Sequence, residues 1–528
     1  MPTARYGSFD AMTELPTVAV ERRRLDVARK LDPASQARLG QVFTPAAVAR
    51  FIASLLGGSA EGESVRLLDP GAGVGCLTAA AVERLVLENE VQRIEIVASE
   101  IDPALQGPLE HTLSEVSRWA GSCGVNVTSE IRKESYLDVG TLEGDSRGLE
   151  LGSFDAVIMN PPYGKLGARS PERRALEQLG IATANLYTAF MALGVLHLRE
   201  GGRLAAITPR SFANGLYHEP FRRFFFEAAR LSRIHLFAAR DLVFADSNVL
   251  QENLVLSVER GGDGKNVVVS SSHGPEDEPI SRDVPYAEVV SPDDPHQFLR
   301  IPTEREHTDL AEWVAHLPAT LGELGLAVST GRVVEFRSKE FLCDQPREGA
   351  VPLIHPTHLK AERVKWPLPP GGKKPNALLV AAETERLLLP NEAYVLVKRF
   401  TSKEERRRVS AAVSDPDATI GSRIAFENHL NVFHRGGRGL EMDLALGLAT
   451  FLNCALIDSY VRLFNGHTQI NATDLRNLRY PSMAQLRELG ARRGASDASM
   501  IDDLVDSVVG SIGRSRSRSD GALAKKAA

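Results

Sequence analysis

The segment Asn160-Pro161-Pro162-Tyr163 holds the residues with the clearest chemical potential in this chain. It follows the apolar run Phe154–Met159, which is typical of a buried strand. Two consecutive prolines remove two N–H donors, so the turn presents carbonyl oxygens beside the side-chain oxygen of Asn160. An array of acceptors of this kind suits a planar NH2 group. The sequence therefore predicts that an amino group binds at this turn.

A second candidate site is the glycine-rich turn Asp69-Pro-Gly71-Ala-Gly73-Val-Gly75, which precedes the predicted helix Leu77–Glu88. Glycines let the backbone turn sharply and approach a ligand closely, and the start of a helix offers unpaired N–H groups. Many α/β proteins have such a turn for steric reasons alone. The turn by itself therefore leaves binding and purely structural interpretations open.

An acidic residue supports the binding interpretation. The next predicted strand ends in Ser99-Glu100-Ile101-Asp102. The separation of Glu100 from the glycine turn along the sequence is typical of an acidic residue that hydrogen-bonds to ribose hydroxyls. Together the two segments predict a nucleoside-containing cofactor. They do not distinguish a nicotinamide dinucleotide from S-adenosylmethionine.

Strands and helices alternate through the first half of the chain. This alternation predicts a doubly wound, Rossmann-like α/β sheet with helices on both faces. The predicted strands are Arg66–Asp69, Ile94–Ser99, Ala156–Met159, Leu204–Thr208, Ile234–Phe237 and Leu254–Val258. The predicted helices between them include Leu77–Glu88, Ala184–Leu198 and Glu219–Ala229.

Composition divides the 528 residues further. The segment Gly261–Pro295 is rich in Gly, Ser, Asp and Pro and has little periodicity beyond one possible strand at Val267–Ser270, so residues 261–309 are predicted to be a linker. We expect an N-terminal helical segment at 1–35, a catalytic domain at 36–260 and a mixed α+β domain at 310–485. Residues 486–528 are expected to form a helix and a disordered basic tail.

Charge and cysteine content limit the possible functions. The net charge is −6, yet residues 321–480 carry 22 Lys and Arg against 18 Asp and Glu, so any nucleic-acid-binding surface should be local. The four cysteines have no CxxC spacing and no neighbouring histidine cluster, so no metal site is expected. The absence of a long apolar run or a signal-peptide pattern favours a cytoplasmic protein with no membrane partner.

The motifs and their order resemble a known family, the N6-adenine DNA methyltransferases of the TaqI, PstI and XhoI group in type II restriction-modification systems. The Asn-Pro-Pro-Tyr turn is the variant typical of adenine N6 modification in that family. The similar segments are Leu39–Pro45, Asp69–Gly75, Asn160–Tyr163, Asn185–Phe190, Gly201–Pro209, Asp241–Phe244 and Val249–Val255.

The resemblance implies S-adenosylmethionine as the cofactor and double-stranded DNA as the substrate. Asn160 and Pro161 would accept the target amine, Pro162 would shape the turn, and Tyr163 and Phe244 would flank a flipped-out adenine. Either Glu134 or Ser135 would hold the adenine of the cofactor. The expected cofactor-binding residues are Phe43, Thr44, Asp69, Gly71, Gly73, Gly75, Glu100, Ile101, Tyr136 and Asn160.

The resemblance also implies that residues 310–485 form a target-recognition domain. Its candidate phosphate contacts are Lys398, Arg399, Lys403, Arg406, Arg407 and Arg408, although a solvated helix explains each of them equally well. A cognate restriction endonuclease is the expected functional partner. The protein is expected to be a monomer or weak dimer, cytoplasmic and nucleoid-associated.

Three alternatives remain open. RNA and protein-glutamine methyltransferases also use Asn-Pro-Pro turns, but they usually lack a basic module after the catalytic fold. A modification subunit of a multisubunit restriction complex would need a longer helical region before Leu39. A non-catalytic specificity subunit is disfavoured because both the turn at Asn160 and the glycine turn are intact.

Overall fold

The computed structural model describes residues 14–56, 64–88, 91–138, 149–238, 252–292, 294–303, 305–401, 405–464, 469–493 and 500–510. The chain forms two compact units, Met1–Thr303 and Glu304–Ala528. Among the described residues, no single helix is long and apolar enough to cross a membrane. The bent pair Met442–Leu452 and Ala455–Leu463 meets that test jointly, by length and composition only.

The first unit is built on a nine-stranded sheet with helices on both faces. Its strands are β1 Ser64–Pro70, β2 Arg93–Ser99, β3 Asn126–Arg132, β4 Phe154–Met159, β5 Leu198–Pro209, β6 Ala229–Phe237, β7 Asn253–Arg260, β8 Asn266–Ser272 and β9 Ile280–Pro285. Its longer helices are α1 Pro16–Ala28, α2 Pro33–Leu39, α3 Ala46–Ser54, α4 Cys76–Glu88, α5 Pro103–Ser122, α6 Pro171–Gln178, α7 Leu186–His197 and α8 Glu219–Ala228. A short helix, Tyr286–Val289, follows β9.

The strand order is β3-β2-β1-β4-β5-β7-β6-β8-β9. Strands β3, β2, β1, β4 and β5 run parallel, whereas β7 runs antiparallel to both β5 and β6. The chain places β2 and β3 on one side of β1 and then β4 on the other. In such sheets ligands bind at this reversal point, beyond the carboxyl ends of the strands. The predicted doubly wound α/β class is confirmed.

The alternation of side chains along the strands divides the core into two layers. Leu67 packs with α3, α4 and α5 on one face, and its neighbour Leu68 packs with α7 and α8 on the other. Helix α1 joins the first layer, where Thr17 donates from its N–H (3.1 Å) and its Oγ1 (2.8 Å) to Glu83 Oε2. Because the sheet is covered on both faces, most side chains of its central strands β1, β2 and β4 are buried.

The structure corrects the predicted linker. Residues 266–285 form β8 and β9 of the sheet, and β8 pairs in parallel with β6. Val267 and Val269 are buried, but in β9 only Val284 is buried. Strands near the edge of a sheet bury few side chains, so their composition resembles that of a loop. The same effect hid β3, in which Val127 is the buried residue.

The second unit is a mixed α+β structure. Its strands are β10 Ala319–Thr320, β11 Ala327–Thr330, β12 Leu342–Cys343, β13 Ala350–Ile354, β14 Leu359–Lys360, β15 Arg363–Val364, β16 Ala377–Leu379, β17 Leu389–Pro390, β18 Tyr394–Lys398, β19 Ala411–Ser414, β20 Arg423–Phe426, β21 Leu430–His434 and β22 Arg479–Tyr480. Its helices are Arg305–Ala315, Met442–Leu452, Ala455–Phe464, Ala472–Arg476, Met483–Arg493 and Ile501–Val508. The sheets have the orders β11-β21-β18-β19-β15-β14, β12-β16-β13-β20-β17 and β10-β22.

Candidate active site

The glycine turn lies at the carboxyl end of β1, where the strand order reverses. Gly71 and Gly73 have φ of 77° and 59°, a left-handed region that glycine adopts without a Cβ clash. The N–H groups of Gly71 and Ala72 both donate to Ser99 O at 2.9 Å. The turn is therefore fastened to the end of β2, the strand that Glu100 directly follows.

Glu100 joins the glycine turn to the start of α5. Its Oε2 accepts from the Gly73 N–H and its Oε1 from the Asp102 N–H, each at 2.8 Å. The side chain is 5% exposed, and this burial raises the pKa of Glu100. Each carboxylate oxygen has a second lone pair, so both retain capacity for a ligand hydroxyl.

Asn160 follows β4, the strand beside β1. Its Nδ2 donates to Val42 O and to Thr44 Oγ1, each at 3.0 Å. The Val42 carbonyl can only accept, so it fixes which end of the amide faces the 39–45 segment. Asn160 Oδ1 is buried and has no hydrogen-bond partner among the described residues. A buried acceptor without a donor is unfavourable, so this oxygen is available to an incoming N–H group.

Tyr163 is held at both ends. Its N–H donates to Gly40 O at 3.1 Å, and its hydroxyl donates to Asn253 Oδ1 at 3.1 Å. Gly40 has φ of 64°, and a Cβ at that position would lie 2.2 Å from Tyr163 O. Only glycine therefore allows the 39–45 segment to pack this closely on the Asn-Pro-Pro-Tyr turn.

A cavity of about 660 Å³ connects these elements. Ten of its lining residues belong to the 39–45 segment, the glycine turn, the end of β2 and the turn after β4. The full lining is Leu39, Gly40, Gln41, Val42, Phe43, Gly71, Gly73, Ser99, Glu100, Ile101, Leu105, Glu134, Ser135, Tyr136, Asn160, Pro162 and Phe190. The structure thus brings together Phe43, Gly71, Gly73, Glu100, Ile101, Tyr136 and Asn160 from the predicted cofactor site.

Several predicted residues do not line this cavity. Thr44 is buried, and its Oγ1 accepts a hydrogen bond from Asn160. A Cβ added at Gly75 would meet Thr112 and Leu109, so this glycine faces α5 rather than the cavity. Pro161 and Tyr163 flank Asn160 in the same turn without lining the cavity. Phe244 lies outside the described residues.

Phe190 and Gln41 line the cavity although the sequence reasoning did not select them. Phe190 packs on Tyr136 with ring centroids 4.9 Å apart, and the Tyr136 hydroxyl is 2.9 Å from His197 Nδ1. Gln41 Nε2 donates to Asp102 Oδ2 at 2.9 Å. Both residues belong to segments with a family-like pattern, which was the available signal. Both Glu134 and Ser135 line the cavity, so both remain candidates for holding a nucleobase.

Asp69 supports the turn from beneath instead of lining the cavity. It is fully buried, and its Oδ2 accepts from Thr78 Oγ1 at 2.6 Å. Burial is the main cause that raises the pKa of Asp69 to about 7. Its predicted direct contact with the cofactor is therefore replaced by a structural contact with α4.

This raised pKa predicts how stability depends on pH. An unfolded Asp loses its proton near pH 4, whereas folded Asp69 keeps it to about pH 7, so wild-type stability falls as pH rises across this interval. Asp69→Asn should remove the effect. As pH rises across this interval, the free energy of unfolding of the variant should increase relative to that of the wild type by up to about 4 kcal/mol.

Urea unfolding at a series of pH values between 4 and 8 measures the difference. Asp263→Asn, at an exposed position of the same unit, is the control and should follow the wild-type profile. If the stability of Asp69→Asn varied with pH in the same way as that of the wild type, Asp69 would not be buried in its protonated form.

The predicted basic residues of the second unit have different environments. Arg406 is exposed, and Lys398 and Arg399 are partly buried at the end of β18. Arg407 donates to Asn453 O. Arg399 donates from its guanidinium to Asn428 O, Gln469 Oε1 and Asn471 Oδ1. These placements leave Lys398 and Arg406 as accessible cations, and Lys403 lies outside the described residues.

Arg408 is a correction. It is 0% exposed, and its Nη1 donates to Thr401 O at 2.7 Å. It therefore stabilises the interior of the second unit rather than contacting a phosphate. Sequence reasoning placed it with its neighbours because a run of like charges does not show which side chain points inward.

Comparisons with known proteins identify the family of this chain. A family model described as Eco57I restriction-modification methylase matches residues 123–244, which include Asn160. The chain is 38% identical over 508 residues to Type II methyltransferase M.PstI from Providencia stuartii, covering 94% of this chain and 98% of that protein. The chain belongs to the type II methyltransferases. This site-specific DNA methyltransferase of a restriction-modification system is also 38% identical over 476 residues to M.BsuBI from Bacillus subtilis, covering 89% and 93%.

One solved structure extends the comparison to the fold. The type IIL restriction-modification enzyme MmeI, in complex with DNA, matches this methyltransferase with a TM-score of 0.52 and 13% identity. The match covers 93% of this chain and 75% of that chain. At this identity the likeness shows a shared fold. The family resemblance predicted from the motifs is confirmed.

Proposed function

We propose that this DNA methyltransferase modifies the N6 amino group of adenine and uses S-adenosylmethionine. The observation that carries the proposal is the buried, unpaired Oδ1 of Asn160 at the wall of the cavity. Asn160 Nδ2 is already committed to Val42 and Thr44, so the side chain offers the target only an acceptor. An exocyclic amine is the donor that satisfies it.

Accepting a hydrogen from the amine activates it. A hydrogen bond from the amine to Asn160 Oδ1 draws the nitrogen towards sp3 geometry. The nitrogen lone pair then leaves conjugation with the base and becomes available for attack. Because Asn160 is tethered on its other side, the oxygen is positioned before the target arrives, and such preorganisation lowers the barrier without reorganisation. No covalent nucleophile is required. In the described part of the chain, no cysteine lines the cavity.

The cavity fits the proposed cofactor. Glu100 supplies carboxylate acceptors for ribose hydroxyls, and Phe43, Tyr136 and Phe190 supply apolar walls. S-adenosylmethionine, when bound, provides an electrophilic methyl group on a sulfonium. The protein residues bind and orient that donor beside Asn160.

Glu100 should contribute measurably to cofactor affinity. Glu100→Ala is expected to weaken S-adenosylmethionine binding by about 1.5–3 kcal/mol, the range for hydrogen bonds involving a charged group. Isothermal titration calorimetry measures this. Glu95→Ala, at an exposed position of the same strand, should bind as the wild type does. Equal affinity in the Glu100 variant would move the ribose site elsewhere.

The second unit is proposed to recognise the target sequence in double-stranded DNA. Its accessible cations at Lys398 and Arg406 suit phosphate contacts, which position a duplex without reading its sequence. Reaching a base inside a duplex requires that base to leave the stack, and Tyr163 beside Asn160 is proposed to stack on it. A cognate restriction endonuclease is proposed as the functional partner, and a monomer or weak dimer as the active state.

Mapping the modified base tests the proposal directly. DNA from cells that express the chain should contain N6-methyladenine at one recurring sequence, detected by single-molecule sequencing and by nucleoside mass spectrometry. The Asn160→Ala variant provides the matched control and should leave that sequence unmodified. N4-methylcytosine, or methylation confined to RNA or to protein glutamine, would contradict adenine specificity.

A further inference from the structure

Three potential metal ligands converge in the second unit, independently of the methyl-transfer site. Glu335, His355 and Glu427 each place one ligand atom within 4.8 Å of the other two. They are separated by 20 and 72 residues along the chain, so no sequence spacing reveals them. The cluster lies within a single unit of the fold.

The sheet brings the three residues together. Strands β13 and β20 are parallel, with Leu353 opposite Ala425 and Ile354 opposite Phe426. His355 and Glu427 are the next residues at the same edge, where the Glu427 N–H donates to Ile354 O at 3.0 Å.

The third ligand arrives on a neighbouring segment. Val333 forms an isolated bridge with Glu427, and its N–H donates to Phe426 O at 3.0 Å. Glu335 begins the short 3₁₀ turn two residues later. The backbone therefore fixes the relative positions of all three segments.

His355 is the unusual member of the cluster. It is 0% exposed, and apart from the capping box that it forms with His358, neither ring nitrogen has a hydrogen-bond partner among the described residues. Its Nδ1 lies 3.2 Å from Glu335 Oε1 and 4.0 Å from Glu427 Oε2. Buried polar groups normally have partners, because leaving one unsatisfied costs stability. The ring therefore lacks a partner at the point where the two carboxylates face it.

Glu427 favours a bound cation. Its side chain is fully buried, its Oε2 accepts from the His429 backbone N–H at 2.8 Å, and its Oε1 lies 2.5 Å from His429 Nδ1. His355 adds an imidazole, which is a common metal ligand. A positive ion between these groups would compensate the buried carboxylate.

We propose that His355 Nδ1, Glu335 and Glu427 bind a divalent transition-metal ion that joins the β13, β20 and 333–337 segments. One imidazole with two carboxylates suits Zn²⁺ or Mn²⁺ better than Mg²⁺, which prefers oxygen ligands alone, or soft ions, which prefer thiolates. The ion is a structural element of the second unit. This assignment does not depend on adenine specificity.

Lys374 gives the proposal a sharp test. Its Nζ lies 2.6 Å from Glu335 Oε1, so the ammonium competes with a metal ion for that carboxylate. The Lys374 side chain is 35% exposed and can move into solvent when the ion binds. Removing the ammonium should therefore tighten metal binding, whereas a simple ion-pair network would gain no affinity for metal.

The experiment uses the full-length chain, free of affinity tag and stripped with chelator. After incubation with Zn²⁺ and desalting, elemental analysis should find about one Zn²⁺ per chain, and the melting temperature should rise. Glu335→Gln preserves the size of a partly exposed side chain and should bind Zn²⁺ at least tenfold more weakly. Lys374→Met should bind more tightly. Exposed Glu340→Gln, five residues away, is the matched control and should equal the wild type.

The outcomes separate clearly. Parallel titrations with Mn²⁺ and Mg²⁺ should give weaker binding for Mg²⁺. A wild-type chain that retains no Zn²⁺ or Mn²⁺, or a Glu335→Gln variant that retains as much as the wild type, overturns the proposal. Unchanged or weaker affinity in Lys374→Met would refute ligation by Glu335. All of these readouts are independent of methyl-transfer activity.

Discussion

Methyl transfer by the Asn160→Ala variant is expected to fall by about 10²–10³-fold or more, while the affinity for S-adenosylmethionine stays within about tenfold of wild type. The reason is that Asn160 Oδ1 is the unpaired acceptor proposed for the target amine. Single-turnover assays with saturating cofactor measure the chemical step. Calorimetry measures cofactor binding in the same preparations.

A matched variant separates the acceptor from the tether. Thr44→Val removes one of the two groups that hold Asn160 Nδ2 but leaves the Val42 carbonyl and Oδ1 in place. It should therefore keep far more activity than Asn160→Ala. If both variants lost activity equally, Asn160 would matter for packing the 39–45 segment rather than for polarising the amine. Near-normal turnover in Asn160→Ala would refute the assignment altogether.

Separating the two units should abolish sequence preference without abolishing cofactor binding. A fragment of residues 1–303 retains both core layers of the nine-stranded sheet and every residue that lines the cavity. It should keep its α/β circular dichroism and bind S-adenosylmethionine. The full-length chain should prefer its mapped site over a scrambled duplex by about 10³-fold or more. The fragment should show no preference.

Competition binding at fixed ionic strength measures this preference, because phosphate contacts make bare affinity depend on salt. The control is the full-length Asn160→Ala variant, which lacks chemistry but should retain the preference. Full site preference in the fragment would require reassignment of the second unit as a structural or partner-binding domain.

Local patterns in the sequence predicted the central strands closely. The predicted Ile94–Ser99 and Ala156–Met159 correspond to Arg93–Ser99 and Phe154–Met159 in the structure. Most side chains of these strands are buried, so their runs of apolar residues indicate them in the sequence. Edge strands gave no comparable signal. Strand β9 buries only Val284, and its polar composition predicted a linker.

The chemistry of the site followed from the sequence wherever neighbouring residues carry it. The glycine turn and the Asn-Pro-Pro-Tyr turn are continuous segments, and their backbone properties are set by residue type. Their proximity follows from parallel pairing of β1 and β4. Runs of charged residues were less informative. Arg407 and Arg408 donate to backbone carbonyls of the same chain, and a run of like charges does not indicate which of its side chains do so.

The sequence by itself therefore determined the fold class, the two turns of the candidate site and the family. Only the tertiary structure decided which polar atoms have hydrogen-bond partners. The Asn160 amide meets Val42 across 118 residues, and that contact leaves Oδ1 as the free acceptor. His355 and Glu427 meet only because β13 and β20 pair in one register. Sequence patterns report local conformation and average burial, whereas hydrogen-bond satisfaction depends on distant segments that packing alone brings together.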